Sequence, residues 1–341
     1  MPRVKRTVRG TRREAEAALT AALTARDRGG QRAVDTDPFA THAAMWLESK
    51  RSRVEPATLI VYRQHLERRL VPAFGHLKLR QITRARVEAY LAQLDAVGEI
   101  SHKTANESLG PLRQILARAV REGVIANNPA VSVDRDAPLD LPYDPPPIRP
   151  LTAPQARAYL EAAPTWYRPM AEVLLGAGLR IGEAIALEWR DVDRDTSTLR
   201  IERAYKRGLI GTPKGDRARA VAIDSHVLGV LRDHRQAQLA AGARSTVVFA
   251  SGAGTHRRPA NVRERGHAQT LADAGLPPSV RLHDLRHTAA TLWLAAGASV
   301  YFVQQQLGHA DLKTTIGTYG HPDQAAHREA AERAAAWWRS G

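Results

Sequence analysis

The chain of 341 residues contains no cysteine. Disulfides, thiolate catalysis and zinc–thiolate sites are therefore excluded, and any metal would have to rest on histidines and carboxylates. Long apolar runs are also missing: charges interrupt every apolar stretch before the roughly 18 residues that a membrane helix needs. The basic start, MPRVKRTVRG, has no apolar run behind it, so no secretory signal is expected and the chain is expected to stay in the cytoplasm. Acid is in short supply, with 35 Asp and Glu against 50 Lys and Arg and a formal net charge of +15. A cytoplasmic protein this basic is expected to meet a polyanion, nucleic acid first of all, and arginine suits bidentate phosphate contacts. What is present in quantity is apolar residue, 43% of the chain, enough for real cores; the length suits two or three domains.

Residues 1–35 hold nine Arg or Lys against four Asp or Glu. The segment reads either as a solvated tail or as an arm that touches DNA phosphates, with a short helix from Arg12 to Ala25 ended by Gly29 and Gly30. Residues 36–135 read as an all-helical unit of about four helices. Leu59, Tyr62, Leu66 and Leu70 share one helical face, as do Leu109, Leu112, Leu116 and Val120, and both stripes are core. Thr83 is placed to cap a helix carrying Val87, Tyr90, Leu91 and Leu94. Arg63, Arg68, Arg69, Lys103 and Arg113 are left for the outer faces, where they suit a DNA groove.

Residues 136–150 carry six prolines in fifteen positions and read as a stiff linker. A second unit, 151–341, starts with a capping box at Thr152 and Gln155. A long apolar helix is expected over roughly Trp166 to Trp189, then β-like pieces at Thr198–Ala204 and Arg217–Ile223, then helices from Ser225 onward, with a helical tail from Gln324 to Trp338. The expected fold class is mainly α, with a small β-sheet in this second unit.

Four segments of the second unit concentrate reactive side chains: Gly178–Asp193, Thr212–Ile223, His283–His287 and Leu307–Tyr319. Cleaving a phosphodiester without a metal requires cations for the charge that gathers on the non-bridging oxygens. Arg180 and Arg286 are the candidates, each a rigid fork of donors. A nucleophile must attack phosphorus, and the phenol of Tyr319 can do so and form a covalent intermediate. A general acid must protonate the departing sugar oxygen, and Lys214 lies in a tight turn between strand-like pieces. His283 and His309 are suited to donate to the phosphate or to take the phenolic proton.

In this order the residues resemble the tyrosine recombinase, or phage integrase, family. That family carries an arginine at a GLR-x-GE helix start, matched by Gly178 to Glu183. A lysine in a β-turn is matched by Lys214, a His-x-x-Arg box by His283 to Arg286, and a Leu-Gly-His by Leu307 to His309. The nucleophilic tyrosine follows nine or ten residues later; Tyr319 is ten beyond His309. One departure is that Gly215 and Asp216 follow Lys214 where relatives often have Thr or Ser with another Lys. The resemblance covers residues 37–341. It implies a helical core-DNA-binding domain at 36–135 and a mixed α/β catalytic domain at 151–341. It also makes residues 1–35 the remnant of an arm-binding domain, since Gly10–Gly30 resembles that domain's closing helix and too few residues precede it for a sheet.

The implied function is site-specific recombination that integrates or excises a mobile element through a 3′-phosphotyrosine. Arg180, Lys214, His283, Arg286, His309 and Tyr319 would be the catalytic set, with no cofactor and no metal. The implied partners are double-stranded DNA bearing the recombination sites and a homotetramer in the synapse. An excisionase-type directionality factor, common among mobile-element integrases, is a third; no membrane is involved. Two other classes are open from sequence: a DNA-binding regulator without catalysis, and a type IB topoisomerase-like enzyme.

His283 and His287, four apart, could ligate zinc, but Asp284 stands where a zinc protease helix needs Glu. Glu183 reads as a buttress and His287 as structural. Gly176 to Gly182 has the wrong spacing for a dinucleotide loop. Tyr301, in the apolar pattern of Val300, Val303 and Leu307, reads as core. His321 stays undecided. Trp337 and Trp338 either pack on their own domain or dock on a neighbouring subunit.

Overall fold

In the computed structural model the described residues are 37–131, 139–213, 215 and 218–309, with isolated positions 11, 16, 332, 335 and 339. The expectations for the N-terminal helix, Lys214, Tyr319, His321 and the tail with Trp337 and Trp338 lie outside them. The chain divides into two compact units, Met1–Pro145 and Pro146–Gly341. Among the described residues it is mainly helical, with two small antiparallel sheets, both in the second unit.

The first unit is built from four main helices: α1 Phe39–Lys50, α2 Pro56–His65, α3 Arg84–Val97 and α4 His102–Arg121. The Thr83 hydroxyl caps α3 by accepting the Arg86 N–H, and Ser101 caps α4 through Thr104. Leu109, Leu112 and Leu116 are fully buried along α4, as are Leu66 and Leu70 after α2; Leu59, Tyr62 and Val120 are half-buried. A π-helical turn, Leu66–Leu70, follows α2. Arg63, Arg68 and Lys103 are exposed. Arg113 departs from its expected role as a groove residue, because its guanidinium donates to the Ala130 carbonyl at 2.9 Å and to Asp140 at 2.7 Å. Part of the proline-rich segment is likewise tied down. Leu139 is buried in this unit's core, and the Asn106 amide exchanges two 2.8 Å hydrogen bonds with the backbone of Leu141.

In the second unit, α5 (Ala153–Ala162) opens with the expected capping box, Thr152 accepting the Gln155 N–H and the Gln155 side chain accepting the Thr152 N–H. Next comes α6 (Arg168–Ala177), nearly all of it buried. The expected long helix from Trp166 to Trp189 is not continuous. It ends at Gly178, whose φ of 61° is left-handed, and restarts as α7 (Ile181–Ala186) after an extended Arg180. Apolar residues stand on both sides of the junction, Leu174, Leu175 and Leu179 before Arg180 and Ile181 after it, which hides the break; a glycine just past the last turn is its signal. Strands β1 (Val192–Asp193), β2 (Thr198–Ile201) and β5 (Arg219–Ala222) form one antiparallel sheet in the order β1-β2-β5. β3 (Ala204–Lys206) and β4 (Leu209–Gly211) form a separate hairpin turning at Arg207 and Gly208, both with positive φ. The expected strand from Thr198 to Ala204 is thus two strands in two sheets. Then come α8 (Ser225–Ala240), a π-helical stretch Val262–Ala268 running into α9 (Gln269–Asp273), α10 (Asp284–Ala295) and α11 (Val300–Leu307). α6 packs against α8 and α10 at the centre of the core.

Tyr301 corrects the expectation that it is core: it is 66% exposed. The buried face of α11 is Val303, Gln306 and Leu307. Tyr301, two residues from Val303, is turned about 200° away on a helix of 3.6 residues per turn.

Candidate functional site

Arg286 stands at the centre of the second unit's charged residues, on the first turn of α10 and only 2% exposed. One arm of its guanidinium donates to the Gly178 carbonyl at 2.7 Å; the other donates to the Leu307 carbonyl. These carbonyls lie at the C-terminal ends of α6 and α11, where backbone oxygens lack helical partners and the helix dipole favours a cation. One buried arginine thus joins two helix ends, and each leads straight to another candidate. Gly178 stands two residues before Arg180, and Leu307 two before His309.

Both helix ends turn on a left-handed glycine with no room for a side chain. A Cβ on Gly178 (φ 61°) would come within 2.8 Å of the Trp293 ring, and one on Gly308 (φ 63°) within 2.8 Å of Arg219 Cδ. The left-handed turn sends the chain out of the helix at once, so Arg180 leaves in an extended conformation after α6 and His309 follows directly beyond α11.

Arg180 is held by Glu183, its neighbour on the first turn of α7. The Arg180 N–H and guanidinium each donate to the Glu183 carboxylate at 2.9 Å. That carboxylate is 1% exposed and also receives both arms of Arg219, at 2.9 and 2.8 Å. Burial by itself would raise the Glu183 carboxyl, but Arg219 first and then Arg180 hold it down at about 2. The buttressing role expected for Glu183 is what the geometry shows. Arg219 reaches further: its Nε donates to the Gln306 carbonyl at 2.9 Å, and the Gln306 amide pairs with both backbone groups of Ala222. The start of α7, strand β5 and the end of α11 are therefore linked through one ion-pair network.

His283 precedes α10, its ring 5.0 Å from that of His287 in an edge-to-face arrangement. The protein packed around the ring, then His287, Arg286 and Arg180, push His283 down to about 4. His309 is held at about 4 as well, by burial and then by Arg286, Arg180, His287 and Arg219. Both imidazoles are neutral at pH 7, each with one donor and one acceptor nitrogen. The same cations act on both rings, so Arg180, Arg286, His283 and His309 share one electrostatic environment. Beside it lies a cavity of about 670 Å³, walled by Ile181, Leu271 and Val280 and edged by Arg281 and His283. Among the described residues no group of three His, Asp or Glu side chains is placed to hold a metal ion.

Residues 149–326 match the phage integrase family, and residues 39–94 match the N-terminal SAM-like domain of phage integrases. The chain belongs to the phage integrase family.

As a phage integrase family member it is an enzyme of DNA strand breakage and rejoining, a tyrosine recombinase of the kind that recombines mobile elements at specific sites. A prophage phiRv2 integrase of Mycobacterium tuberculosis is 29% identical over 299 residues, 86% of this chain and 77% of that protein. The Tn1549 transposon integrase, solved with transposon right end DNA, superposes with a TM-score of 0.73 at 20% identity, over 87% of this chain and 99% of that one. A lambda integrase tetramer bound to a Holliday junction gives a TM-score of 0.66 at 18% identity, over 93% and 90%. Both structures establish the fold.

Of the six residues singled out from sequence in this integrase, the structure brings four together, Arg180, His283 and His309 around Arg286; Lys214 and Tyr319 lie outside the described residues. Sequence reasoning passed over Arg219 and Gln306. Arg219 lies within the Thr212–Ile223 segment, and the signal was indirect: a glutamate buried beside Arg180 needs a second cation. No helix among the described residues is long and apolar enough to cross a membrane.

Proposed function

We propose that Arg180, Arg286, His283 and His309 bind the scissile phosphate of a recombination site and that Tyr319 attacks it. The observation that carries this reading is Arg286, a buried guanidinium that fixes the helix ends leading to Arg180 and His309. The two arginines neutralise the charge that builds on the non-bridging oxygens, and because they are already oriented they need no reorganisation during the reaction. The phenolic oxygen of Tyr319 forms a bond to phosphorus as the bond to the 5′ oxygen breaks. A neutral imidazole, His283 or His309, takes the phenolic proton, and Lys214 gives a proton to the departing oxygen. The products are a 3′-phosphotyrosine and a 5′-hydroxyl. Attack by the 5′-hydroxyl of a partner strand reverses the step and releases Tyr319, so no nucleotide is consumed.

Residues 36–135 act as the core-DNA-binding domain and 151–341 as the catalytic domain, joined by 136–150, with 1–35 as a basic arm. The working form is a homotetramer on two duplexes; the likeness to the lambda integrase tetramer supports that assembly. Its partners are attachment-site DNA and an excisionase-type directionality factor, and it works in the cytoplasm.

The test is trapping on a nicked suicide substrate that carries a candidate attachment site, in EDTA. A protein–DNA adduct on a denaturing gel that disappears in Tyr319→Phe is the expected result. Intact DNA binding with no adduct would overturn the covalent mechanism.

A further inference from the structure

Three buried polar side chains of the second unit have no part in the phosphate chemistry: Tyr159, Tyr167 and His267, none more than 3% exposed. The Tyr159 hydroxyl lies 2.7 Å from the Tyr167 hydroxyl and 2.7 Å from Nδ1 of His267, and Nε2 of His267 lies 2.9 Å from the Val280 carbonyl. One proton arrangement satisfies all of these contacts. A carbonyl only accepts, so Nε2 carries the proton and donates it to Val280. Nδ1 of the neutral ring is then a bare acceptor and takes the Tyr159 O–H. Tyr159, its proton committed, accepts from Tyr167. The chain runs one way, from the Tyr167 hydroxyl to the Val280 carbonyl. Burial raises both phenols and lowers the imidazole, so every member is uncharged at neutral pH.

Val280 lies three residues before His283, in the loop that joins α9 to α10. On the far side of Val280 the loop is held by the Leu276 N–H to the Leu271 carbonyl at 2.8 Å and the Val280 N–H to the Pro277 carbonyl at 3.1 Å. On the near side, Arg281 pairs with Asp284 at 2.8 Å. Val280, Arg281, Leu282 and His283 also border the cavity beside the phosphate site. Val280 is itself buried in the core and Leu282 packs against it, so packing and hydrogen bonds together fix the loop. His267 itself is aimed by a π-helical turn, Val262–Ala268, a widened geometry that recurs at functional sites. The turn is closed by Thr270 donating to the Gly266 carbonyl at 2.7 Å. Gly266 lets Tyr167 approach, since a Cβ there would come within 2.9 Å of the Tyr167 ring.

We infer that His267, oriented by Tyr159 and Tyr167, is a positioning residue for His283, fixing through the Val280 carbonyl the loop that delivers His283 to the scissile phosphate. The inference rests on the role given to His283 above. A shift of about 1 Å at a reacting group can cost around 100-fold in rate. None of the three side chains is exposed, so DNA affinity has no reason to change with them.

The experiment is single-turnover cleavage of the suicide substrate by the full chain at saturating protein, between about pH 5 and 8, with DNA affinity and thermal midpoint measured in parallel. The variants are His267→Leu, His267→Gln, Tyr159→Phe and His283→Ala. His267→Leu is expected to slow cleavage by about 10- to 100-fold with DNA affinity unchanged. Tyr159→Phe should slow it less, and His267→Gln, whose amide can still donate to Val280, should recover most of the rate. Slow cleavage by His283→Ala together with parental cleavage by His267→Leu and Tyr159→Phe would overturn the positioning role alone. Parental cleavage by His283→Ala would overturn the role of His283 on which it rests. If His267→Leu fails to fold, Tyr159→Phe, which removes one oxygen from the chain, decides between the same outcomes.

Discussion

Tyrosines aside, in the helical first unit the buried polar side chains among the described residues are His65 and Ser108; in the second they are Glu172, Glu183, Asp191, His267, Thr270, Asp284, Arg286, Thr288 and Gln306. The first unit buries apolar stripes and turns Arg63, Arg68 and Lys103 outward. The second takes charges out of water and pairs them, Glu183 with Arg219 and Arg180, and Asp284 with Arg281. Desolvating a charge costs several kcal/mol, and apolar residues of the same volume would often be at least as stable. Such an arrangement makes sense where direction matters more than stability. On the proposed reading, the first unit meets duplex DNA through phosphates, which tolerates flexible side chains, and the second holds one phosphate in line with a nucleophile, which does not.

The largest effects should come from breaking the second unit's ion pairs. Glu183→Leu leaves Arg219 and Arg180 without their carboxylate, and about 3–5 kcal/mol of stability should be lost in denaturant unfolding. A loss below about 1 kcal/mol would mean that the buried charges are not what holds the site, and the contrast between the units would fail. Arg286→Lys keeps the charge but loses the fork, so it cannot reach both helix ends. Cleavage on the suicide substrate should fall by about 100- to 1000-fold while DNA is still bound. In the first unit the equivalent lever is packing. Leu112→Ala should cost about 3 kcal/mol, read by thermal unfolding, and should weaken DNA binding without changing the single-turnover rate once DNA is saturated.

The pH response sharpens the contrast further. His283 and His309 lie near 4 in the folded protein against 6.5 unperturbed, so between those values the unfolded chain binds protons that the folded one does not. Their stabilising effect is complete above 6.5 and is lost as pH falls toward 4. The thermal midpoint should drop over that window, and the drop should shrink in the His309→Gln variant. An unchanged slope would sink the assignment of a depressed value to His309. The smallest effect is expected at Tyr301: Tyr301→Ala should change stability by less than about 0.5 kcal/mol, since the ring stands in solvent.

Of the candidate site, Arg180, His283, Arg286 and His309 were legible in the sequence because their residue types suit phosphate chemistry and stand in a fixed order; Lys214 and Tyr319, named with them, lie outside the described residues. The helical stripes at Leu109, Leu112 and Leu116 and the caps at Thr83 and Thr152 were legible because they are local. Tyr301 misled because an apolar run does not say which face is covered. The long helix through Arg180 misled because apolar residues on both sides masked the break at Gly178. Arg219 stayed invisible because its partners Glu183 and Gln306 lie 36 and 87 residues away.

What the sequence determined by itself is the inventory and the local grammar: which groups can hold a phosphate, where helices begin, and which glycines can end them. Only the tertiary structure decided that Arg286 caps α6 and α11 together, that Glu183 has a second arginine, and that a tyrosine–tyrosine–histidine chain stands behind His283. The physical reason is the range of the interactions. Capping and periodicity act over three or four residues and are written into adjacent letters. A buried charge or hydroxyl is satisfied by whatever the fold brings within about 3 Å, and chain distance places no limit on where that partner comes from.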